Sequence, residues 1–399
     1  MNASCLPLPR ASGRSLHRFF GLAGVIGAFC LRSLTAEITP PPVRTGTGFS
    51  YQHDQVTRQP WSIHIARFSR SRTNFLFRTT LAADSAIGLA TVSEQMAHLP
   101  RTLGRAMVAV NGDYFVRDGA YRGDPEGLLI VDGEVISAPS AKSCFWLDPS
   151  GEPHITNVIS GFTVTLPGGE TLPIGLNEEL TDERPVLYSA AMGSSTHTGS
   201  SREFVLERDE EKNWLPLRTG GEYFARVREV RDRGDSPLGT NTVILAVPHA
   251  LDRRVTGLTP GTTLRIALRT MPDLTGVRTA IGGGPALLHD GKRAAYRSEA
   301  VRHPRTALGW NKEDFFLVQV DGRQPSLSVG MTLPELSDYL LKLGCQEALN
   351  LDGGGSSTMW IDGQVMNNPC EGAERPTGTA LVVLMTHDSR ATRTNALPR

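Results

Sequence analysis

Four Asp-Gly pairs, each flanked by apolar or β-branched residues, constrain the fold of this chain more than any other feature. They are Asp132-Gly133, Asp290-Gly291, Asp321-Gly322 and Asp362-Gly363. Both residue types accept the positive φ angles of a two-residue turn, so each pair predicts a β-hairpin. The stretches "WSIHIARFSR", "NTVILAV" and "TTLRIAL" predict further strands. The sequence therefore predicts an α+β fold in which a strand-rich mixed sheet is accompanied by few helices.

Two short helices are predicted from their capping boxes, in which a hydroxyl side chain is followed three residues later by a glutamate. Thr91 and Glu94 open the stretch "TVSEQMAHL", and Thr332 and Glu335 open "TLPELSDYLLKLG". Leucines at helical spacing give the second stretch an apolar stripe. Gly344 is placed to end that helix.

Composition and the first residues bear on the class of protein. The 399 residues are 39% hydrophobic, which is enough for a sizeable core. The 41 basic and 41 acidic residues balance, so no basic surplus points to nucleic acid. Residues 1–36 contain four arginines and no acid, and they include the short apolar run "FFGLAGVIGAFCL". This pattern predicts a secretory signal peptide and a secreted, periplasmic or envelope protein without stable membrane insertion after cleavage; a retained anchor is the alternative.

The domain organisation follows from these patterns. We expect an N-terminal arm and first strands over 37–84, one main domain over 85–387 and a disordered tail over 388–399. Residues 155–280 form either an inserted subdomain or part of the same sheet. Of the three cysteines after residue 36, Cys345 and Cys370 flank a glycine-rich motif and are the favoured disulfide pair over Cys144. Free buried thiols are the alternative.

The glycine-rich motif is "NLDGGGSSTM", residues 350–359, which follows a predicted strand. Three glycines between Asp352 and Ser356 can expose backbone N–H groups to an anion, and they allow a sugar or phosphate to approach the main chain. No Gly-Lys-Ser/Thr follows, which excludes a Walker A loop. The next stretch, "MWIDGQVM", indicates a hairpin and not a helix, which argues against a dinucleotide-binding turn. A purely structural tight turn is the alternative.

Three other stretches contain candidate functional residues. "VNGDYF" places Asn111, Gly112 and Asp113 at a strand end, and "HPRTALG" carries Arg305 and Thr306. An arginine fork can bind phosphate through two hydrogen bonds. "IGGGPALLHDGK" holds a second glycine run. Taken alone, the first stretch also fits an Asx turn, an arginine such as Arg305 is more often a solvated surface residue, and the glycine run is more often a bulge or bend than a site.

Together, in the order "AVNGDYF", "IGGGPALLHDGK", "HPRTALG" and "NLDGGGSSTM", these stretches resemble the phosphodiester glycosidase family. "PEGLLIVDGEVIS", "LYSAAMGSSTHT" and "ERPTGTALVV" resemble its bacterial, exported members. The resemblance covers roughly residues 85–387. The charged stretch from Arg208 to Asp235 departs from it and is interpreted as an insertion or a long hairpin.

The resemblance implies hydrolysis of the sugar C1–O bond of a sugar-1-phosphodiester in a surface polysaccharide or related glycan. Its implied catalytic residues are Asp352, Arg305 and Asp113, with Asp124 and Glu126 as weaker carboxylate candidates. Its implied substrate-binding residues are Asn111, Gly112, Thr306, Gly353, Gly354, Gly355, Ser356, Gly283 and Gly284. No cofactor is expected to be required, and a divalent cation is the alternative.

Two other functions remain open from the sequence. The chain could be a metal-dependent phosphodiesterase that cleaves P–O bonds, with Asp113 and Asp352 as metal ligands. It could also be a non-catalytic glycan-binding module that keeps the same scaffold. The released products distinguish the two enzymes from each other and from a binding module.

Overall fold

The computed structural model describes residues 48–82, 85–209, 214–297 and 301–386. The predicted signal peptide and the predicted tail therefore lie outside the described residues. Within the described part, no helix is both long and apolar enough to cross a bilayer. The described residues belong to one compact unit.

The strands are numbered in chain order. The first twelve are β1 (Phe49–Val56), β2 (Trp61–Ser69), β3 (Phe75–Leu81), β4 (Arg105–Asn111), β5 (Leu129–Val131), β6 (Glu134–Ser137), β7 (Ser140–Leu147), β8 (Pro153–Thr165), β9 (Thr171–Pro173), β10 (Gly175–Leu176), β11 (Val186–Tyr188) and β12 (Arg202–Arg208). The others are β13 (Glu222–Arg231), β14 (Val243–Val247), β15 (Thr263–Met271), β16 (Thr279–Gly282), β17 (Ala286–His289), β18 (Lys292–Arg293), β19 (Arg305–Trp310), β20 (Asp314–Val320), β21 (Glu347–Asn350), β22 (Met359–Ile361), β23 (Gln364–Val365) and β24 (Thr379–Met385).

These strands form three sheets. One sheet has the order β1-β2-β20-β19-β21-β17-β18, and a second has the order β23-β22-β4-β24-β3. The largest sheet has the order β10-β11-β14-β12-β13-β15-β8-β7-β16-β5-β6, with β9 paired to β8. The described pairs are antiparallel except the parallel pair β10–β11. The predicted strand-rich α+β fold with mixed sheets is confirmed.

Both predicted helices are present with their capping boxes. Helix α1 spans Val92–His98 and helix α2 spans Leu333–Lys342. In α2, the buried leucines Leu336 and Leu340 pack on Leu287 of β17 and Val318 of β20, so the predicted apolar stripe covers one sheet face. Gly344 has φ +85°, which suits the left-handed position that ends a helix.

Three of the four predicted Asp-Gly hairpins form, between β5 and β6, β17 and β18, and β22 and β23. The hairpin predicted at Asp321-Gly322 is wrong. Asp321 is fully buried at the end of β20, where its carboxylate accepts hydrogen bonds from Ser62 Oγ at 2.7 Å and from Asn368 N at 3.0 Å. The left-handed residue is instead Arg323, with φ +59°. Burial of the aspartate among polar partners thus prevails over the local turn preference.

One apolar core joins all three sheets. It includes Phe68 of β2, Val108 of β4, Phe145 of β7 and Leu349 of β21. A second apolar core packs against the largest sheet. Nearly all of its members come from the part of the chain that runs from β5 to β16, and they include Phe162 of β8 and Phe204 of β12. The strands of residues 155–280, β8–β15, continue the sheet that contains β5–β7. The predicted inserted subdomain over those residues stays a prediction.

All three described cysteines, Cys144, Cys345 and Cys370, are free thiols. The favoured Cys345–Cys370 disulfide is therefore not formed. Cys345 is buried in the core beneath α2, where apolar surroundings raise the pKa of its thiol to about 12. Cys370 is half-buried in the loop after β23. The structure supports the alternative of free thiols.

Candidate active site

The candidate site lies where strands of the three sheets end. Asn111 ends β4, Gly282 ends β16, Arg305 begins β19 and Asn350 ends β21. These ends bring together the four stretches singled out in the sequence, although they are separated by up to about 240 residues. Sheet topology therefore assembles the site.

Asn111 is the joint that holds these strand ends together. Its side chain is fully buried; Nδ2 donates to the backbone oxygen of Asp352 at 2.7 Å, and Oδ1 accepts from Thr306 Oγ1 at 2.7 Å and from Thr358 N at 3.1 Å. Gly112 continues the link, because its carbonyl accepts from Asp352 N at 3.0 Å. Asn111 and Thr306 thus connect the strand ends through hydrogen bonds, and the substrate contact that the resemblance implies for them stays a prediction.

The backbone around the turn requires the first glycines after Asp352. A Cβ on Gly353 would lie 2.7 Å from the Pro304 oxygen, whereas one on Gly355 would first meet the movable ends of the Arg375 and Glu371 side chains. Gly354 has φ +62°. Glycine suits this 3-10 turn because it accepts a positive φ angle and has no Cβ to clash with the neighbouring backbone.

The N–H groups of this turn are partly occupied. Gly353 N donates to the Asp352 carboxylate at 2.8 Å, and Gly354 N donates to the Pro304 oxygen at 2.9 Å. The anion-binding nest predicted at these two positions is therefore not formed. In contrast, the buried hydroxyls of Ser357 and Thr358 have no hydrogen-bond partner among the described residues.

Asp352 is half-buried, with its carboxylate beside the glycine turn. Burial raises its pKa, and the nearby Ser356 hydroxyl, a hydrogen bond from Gly353 N and the charge of Arg375 oppose that shift. A partly exposed carboxylate with these partners can still ionise and meet water or a sugar carbon. Of the two predicted catalytic aspartates, Asp352 is more exposed than Asp113.

Asp113 is almost fully enclosed, with 3% of its surface exposed. Its Oδ1 accepts from Tyr114 N at 2.8 Å, whereas Oδ2 faces Gly127 and Gly282 and has no well-formed hydrogen bond within the described residues. Burial raises the pKa of Asp113 to about 7, and the charge of Glu126 adds to that shift. The structure places Asp113 behind the site wall, one residue from Tyr114.

Three arginines lie near the glycine turn. Arg305 is half-buried and makes no ion pair among the described residues; its Nε donates to the Met331 oxygen at 2.9 Å. Burial lowers the pKa of Arg305, and the nearby charge of Arg323 lowers it further. Arg323 lies against Gly354, and Arg375 lies against Gly355 while pairing with Glu371. A half-buried arginine without a carboxylate partner can bind an anion.

Tyr114 is a functional candidate that the sequence reasoning missed. Its hydroxyl accepts from Asn350 Nδ2 at 3.0 Å and donates to the Gly284 oxygen at 3.4 Å. Burial and the charge of Asp352 raise the pKa of Tyr114 to about 12, while Arg305 opposes the shift. The hydroxyl therefore lies within electrostatic reach of both groups. The signal was its position directly after Asp113 in a singled-out block.

A pocket of about 440 Å³ adjoins Tyr114. Its other lining residues are Glu126, Lys142, Ser143, Asn157, Gly283, Gly284 and Pro285. Lys142 Nζ donates to Glu126 at 2.7 Å across this pocket. Gly283, Gly284 and Glu126 thus line one pocket, and substrate contact by the two glycines stays a prediction.

Two further expectations concern carboxylates and metals. Asp124 is buried away from the pocket, near Glu178, and burial raises its pKa to about 8.

The described residues contain one group of three potential metal ligands, His289, Asp290 and Glu347, at the exposed β17–β18 hairpin. Asp113 and Asp352 do not belong to such a group.

Comparison with known proteins bears on the family. Residues 219–384 match the family model described as phosphodiester glycosidase. The resemblance seen in the motifs is confirmed over these residues, and the match supports a glycosidase-like function. The match includes Arg305 and Asp352, whereas Asp113 and Tyr114 precede it.

The relatives found in these comparisons are distant. The SPbeta prophage-derived uncharacterized protein YomE of Bacillus subtilis is 32% identical over 124 residues, which cover 30% of this chain and 19% of YomE. A hypothetical protein from Synechocystis has a TM-score of 0.70 at 20% identity, over 86% of this chain and 64% of that chain. A putative exported protein from Burkholderia pseudomallei has a TM-score of 0.64 at 21% identity, over 82% of this chain and 75% of that chain. These two structures share the fold.

Proposed function

We propose that this protein is an exported hydrolase that cleaves the sugar C1–O bond of a sugar-1-phosphodiester. The observation that carries the proposal is the partly exposed Asp352 beside a glycine turn with Arg305, Arg323 and Arg375 near it. The reaction needs both groups, a cation for the anionic diester and a carboxylate for the sugar carbon. We place the substrate in a surface polysaccharide or a related phosphate-containing glycan outside the cytoplasm.

The arginines act on the leaving group. A phosphodiester has one negative charge. When the sugar C1–O bond breaks, the departing phosphomonoester gains further negative charge. Arg305, which is half-buried and has no ion pair among the described residues, stabilises that developing charge more strongly in the transition state than in the ground state. Arg323 adds positive charge on the same side of the turn.

Asp352 acts on the sugar. Because phosphate leaves easily, the reaction needs little help from a general acid. A carboxylate is still needed to activate water, to attack C1 or to stabilise an oxocarbenium-like centre. Asp352 takes this role, and Asp113 is second choice because it is enclosed. The pocket lined by Gly283 and Gly284 holds the sugar.

No cofactor is required in this proposal. A metal-dependent phosphodiesterase remains the competing enzyme. That enzyme would need further metal ligands beside Asp113 and Asp352. Asp113 Oδ2 faces the backbone of Gly127 and Gly282, which offer no such ligand side chain. A glycan-binding module without catalysis is the other competitor, and an accessible carboxylate with a raised pKa argues for chemistry.

The test is product analysis on a panel of sugar-1-phosphodiesters, including GlcNAc-α-phosphomethylmannose, with and without chelator. We expect ³¹P NMR to show a new phosphomonoester and a sugar assay to show free reducing sugar, both unaffected by chelator. Sugar phosphate that forms only with added metal would replace this proposal with the phosphodiesterase. No turnover combined with direct glycan binding would replace it with the binding module.

A further inference from the structure

We propose that Ser200, His249 and Asp252 form a second, separate catalytic site that hydrolyses acyl esters. Ser200 Oγ lies 3.0 Å from His249 Nε2, and His249 Nδ1 lies 3.0 Å from Asp252 Oδ2. With the proton on Nδ1, the imidazole donates to the aspartate and accepts from the serine hydroxyl. This is the order of contacts by which a histidine activates a serine nucleophile.

The three residues come from two elements of the largest sheet's edge region. Ser200 precedes β12, and His249 and Asp252 share the 3-10 turn that follows β14. Strands β12 and β14 pair directly, so sheet pairing brings the serine beside the turn. Within that turn, the spacing of three residues puts histidine and aspartate on one side.

A pocket of about 240 Å³ opens beside the serine and the histidine. Its remaining lining residues are Tyr121, Glu179, Leu180, Thr181, Asp182, His197, Thr198, Gly199 and Pro248. None of these lines the pocket next to Tyr114. The inference therefore does not depend on the proposed phosphodiester function.

The loop that presents Ser200 is fixed from beneath. Thr196 and Thr198 each donate to the fully buried carboxylate of Glu203 at 2.7 Å. The other carboxylate oxygen accepts from Ser236 N at 3.0 Å. A nucleophile carried on a loop needs such support to keep its geometry.

The reaction balances with water as the only co-substrate. Ser200 Oγ attacks the ester carbonyl while His249 Nε2 takes the hydroxyl proton and Asp252 stabilises the imidazolium. The C–O bond to the alcohol breaks and Nε2 returns the proton to the leaving alcohol. Water then hydrolyses the acyl-serine by the same proton transfers. The N–H groups of Gly199 and Ser200 make no hydrogen bond within the described part of the chain, and in this proposal they donate to the oxyanion.

The lining defines the substrate class. A volume of about 240 Å³ suits a short acyl group such as acetyl. Glu179 and Asp182 bring negative charge to the pocket, which disfavours anionic acyl groups. His249 is half exposed, so the chemistry takes place in contact with water. The site fits short neutral acyl esters and a modest rate.

The experiment uses the full chain with a fluorophosphonate probe, which labels activated serines, and with p-nitrophenyl acetate. We expect the probe to add to one serine, located at Ser200 by peptide mass spectrometry. Ser200→Ala should abolish the label, and His249→Asn should lower ester hydrolysis at least ~10-fold. Unchanged melting temperatures establish that the variants fold.

Ser195→Ala is the matched control. Ser195 also lies beside a histidine and an aspartate, but its Oγ donates to Asp235 at 2.6 Å, so it is not activated. This variant should keep both the label and the hydrolysis. Absence of a label at Ser200, or ester hydrolysis that persists in folded His249→Asn, would overturn the proposal and leave an unreactive polar cluster.

Discussion

Asp352 and Asp113 differ in exposure although burial raises the pKa of both. Asp352 is half-buried and has Gly353 N and Arg375 beside it, so it can lose its proton and face the site. Asp113 is enclosed by Gly127 and Gly282 and has a pKa of about 7. At the scale of residues, exposure therefore separates Asp352, the first choice from the sequence, from Asp113, the second.

The first prediction concerns the Asp352 carboxylate. Asp352→Asn keeps the shape of the side chain and removes its charge, so we expect turnover of a sugar-1-phosphodiester to fall by about 10²–10⁴-fold. The melting temperature should change little. Asp290→Asn, on an exposed hairpin turn, is the matched control and should keep full activity. A folded Asp352→Asn protein with unaltered turnover would contradict the assignment.

The second prediction concerns pH and Asp113. Its folded-state pKa of about 7 lies above the ordinary value of 3.8. Between pH 3.8 and pH 7 the folded state therefore keeps a proton that the unfolded state has lost. The contribution of Asp113 to stability is full below about pH 4 and is lost as pH rises towards 7.

Asp113→Asn removes this loss. Relative to the parent protein, the variant should gain stability on the order of 1–4 kcal/mol between pH 4 and pH 7. Denaturant unfolding at several pH values measures the difference. A difference between the two proteins that stays constant with pH would show that Asp113 is ionised in the folded state.

At the scale of elements, the site depends on strand ends that approach closely. The end of β16 lies against the loop after β4, and a Cβ on Gly282 would lie 2.1 Å from Asp113 Oδ2 and 3.0 Å from Gly127 Cα. Backbone atoms cannot move aside as a flexible side chain can. Glycine at the end of β16 is therefore required by packing.

We expect Gly282→Ala to destabilise the protein by about 1–3 kcal/mol, because the backbone must shift to admit the methyl group. Gly168→Ala is the control, since no atom lies within 4 Å of its added Cβ, and it should stay within about 0.5 kcal/mol. Denaturant melts give both values. Equal stability of the two variants would contradict the close packing at the end of β16, because it would mean that a methyl group fits there.

Local signals in the sequence predicted elements whose determinants are local. The capping boxes at Thr91 and Thr332 and three Asp-Gly hairpins depend on residues within a few positions. The hairpin at Asp321-Gly322 failed because Ser62, some 259 residues away, holds the aspartate. Sheet order was equally inaccessible, since it depends on contacts between distant strands.

The candidate site shows the same division. Asp352, Arg305 and the glycine runs were predicted because their motifs are compact. Arg323 and Arg375 were missed because each reaches the glycine turn from a different loop. No spacing in the sequence reveals that approach, whereas a structure shows it directly.

At the scale of the whole molecule, three sheets share one core and need no covalent cross-link within the described residues. Phe145, Leu317 and Met359 come from the three different sheets and belong to that core. Burial on this scale supplies stability without a disulfide.

We therefore expect alkylation of the denatured, unreduced protein to modify both Cys345 and Cys370 fully. The melting temperature should not change with reductant. A disulfide-linked pair of peptides, or a reductant-dependent loss corresponding to about 2–5 kcal/mol, would contradict the free thiols seen here.

The measurement that tests the central claim most directly is hydrolysis of a sugar-1-phosphodiester in ¹⁸O-enriched water, followed by mass spectrometry of both products. Attack at the sugar carbon places the label on the released sugar's anomeric oxygen and leaves the phosphomonoester unlabelled. The proposal predicts this result. Label in the phosphate would show P–O cleavage and would contradict the assignment of Asp352 and Arg305 to glycosidic bond cleavage.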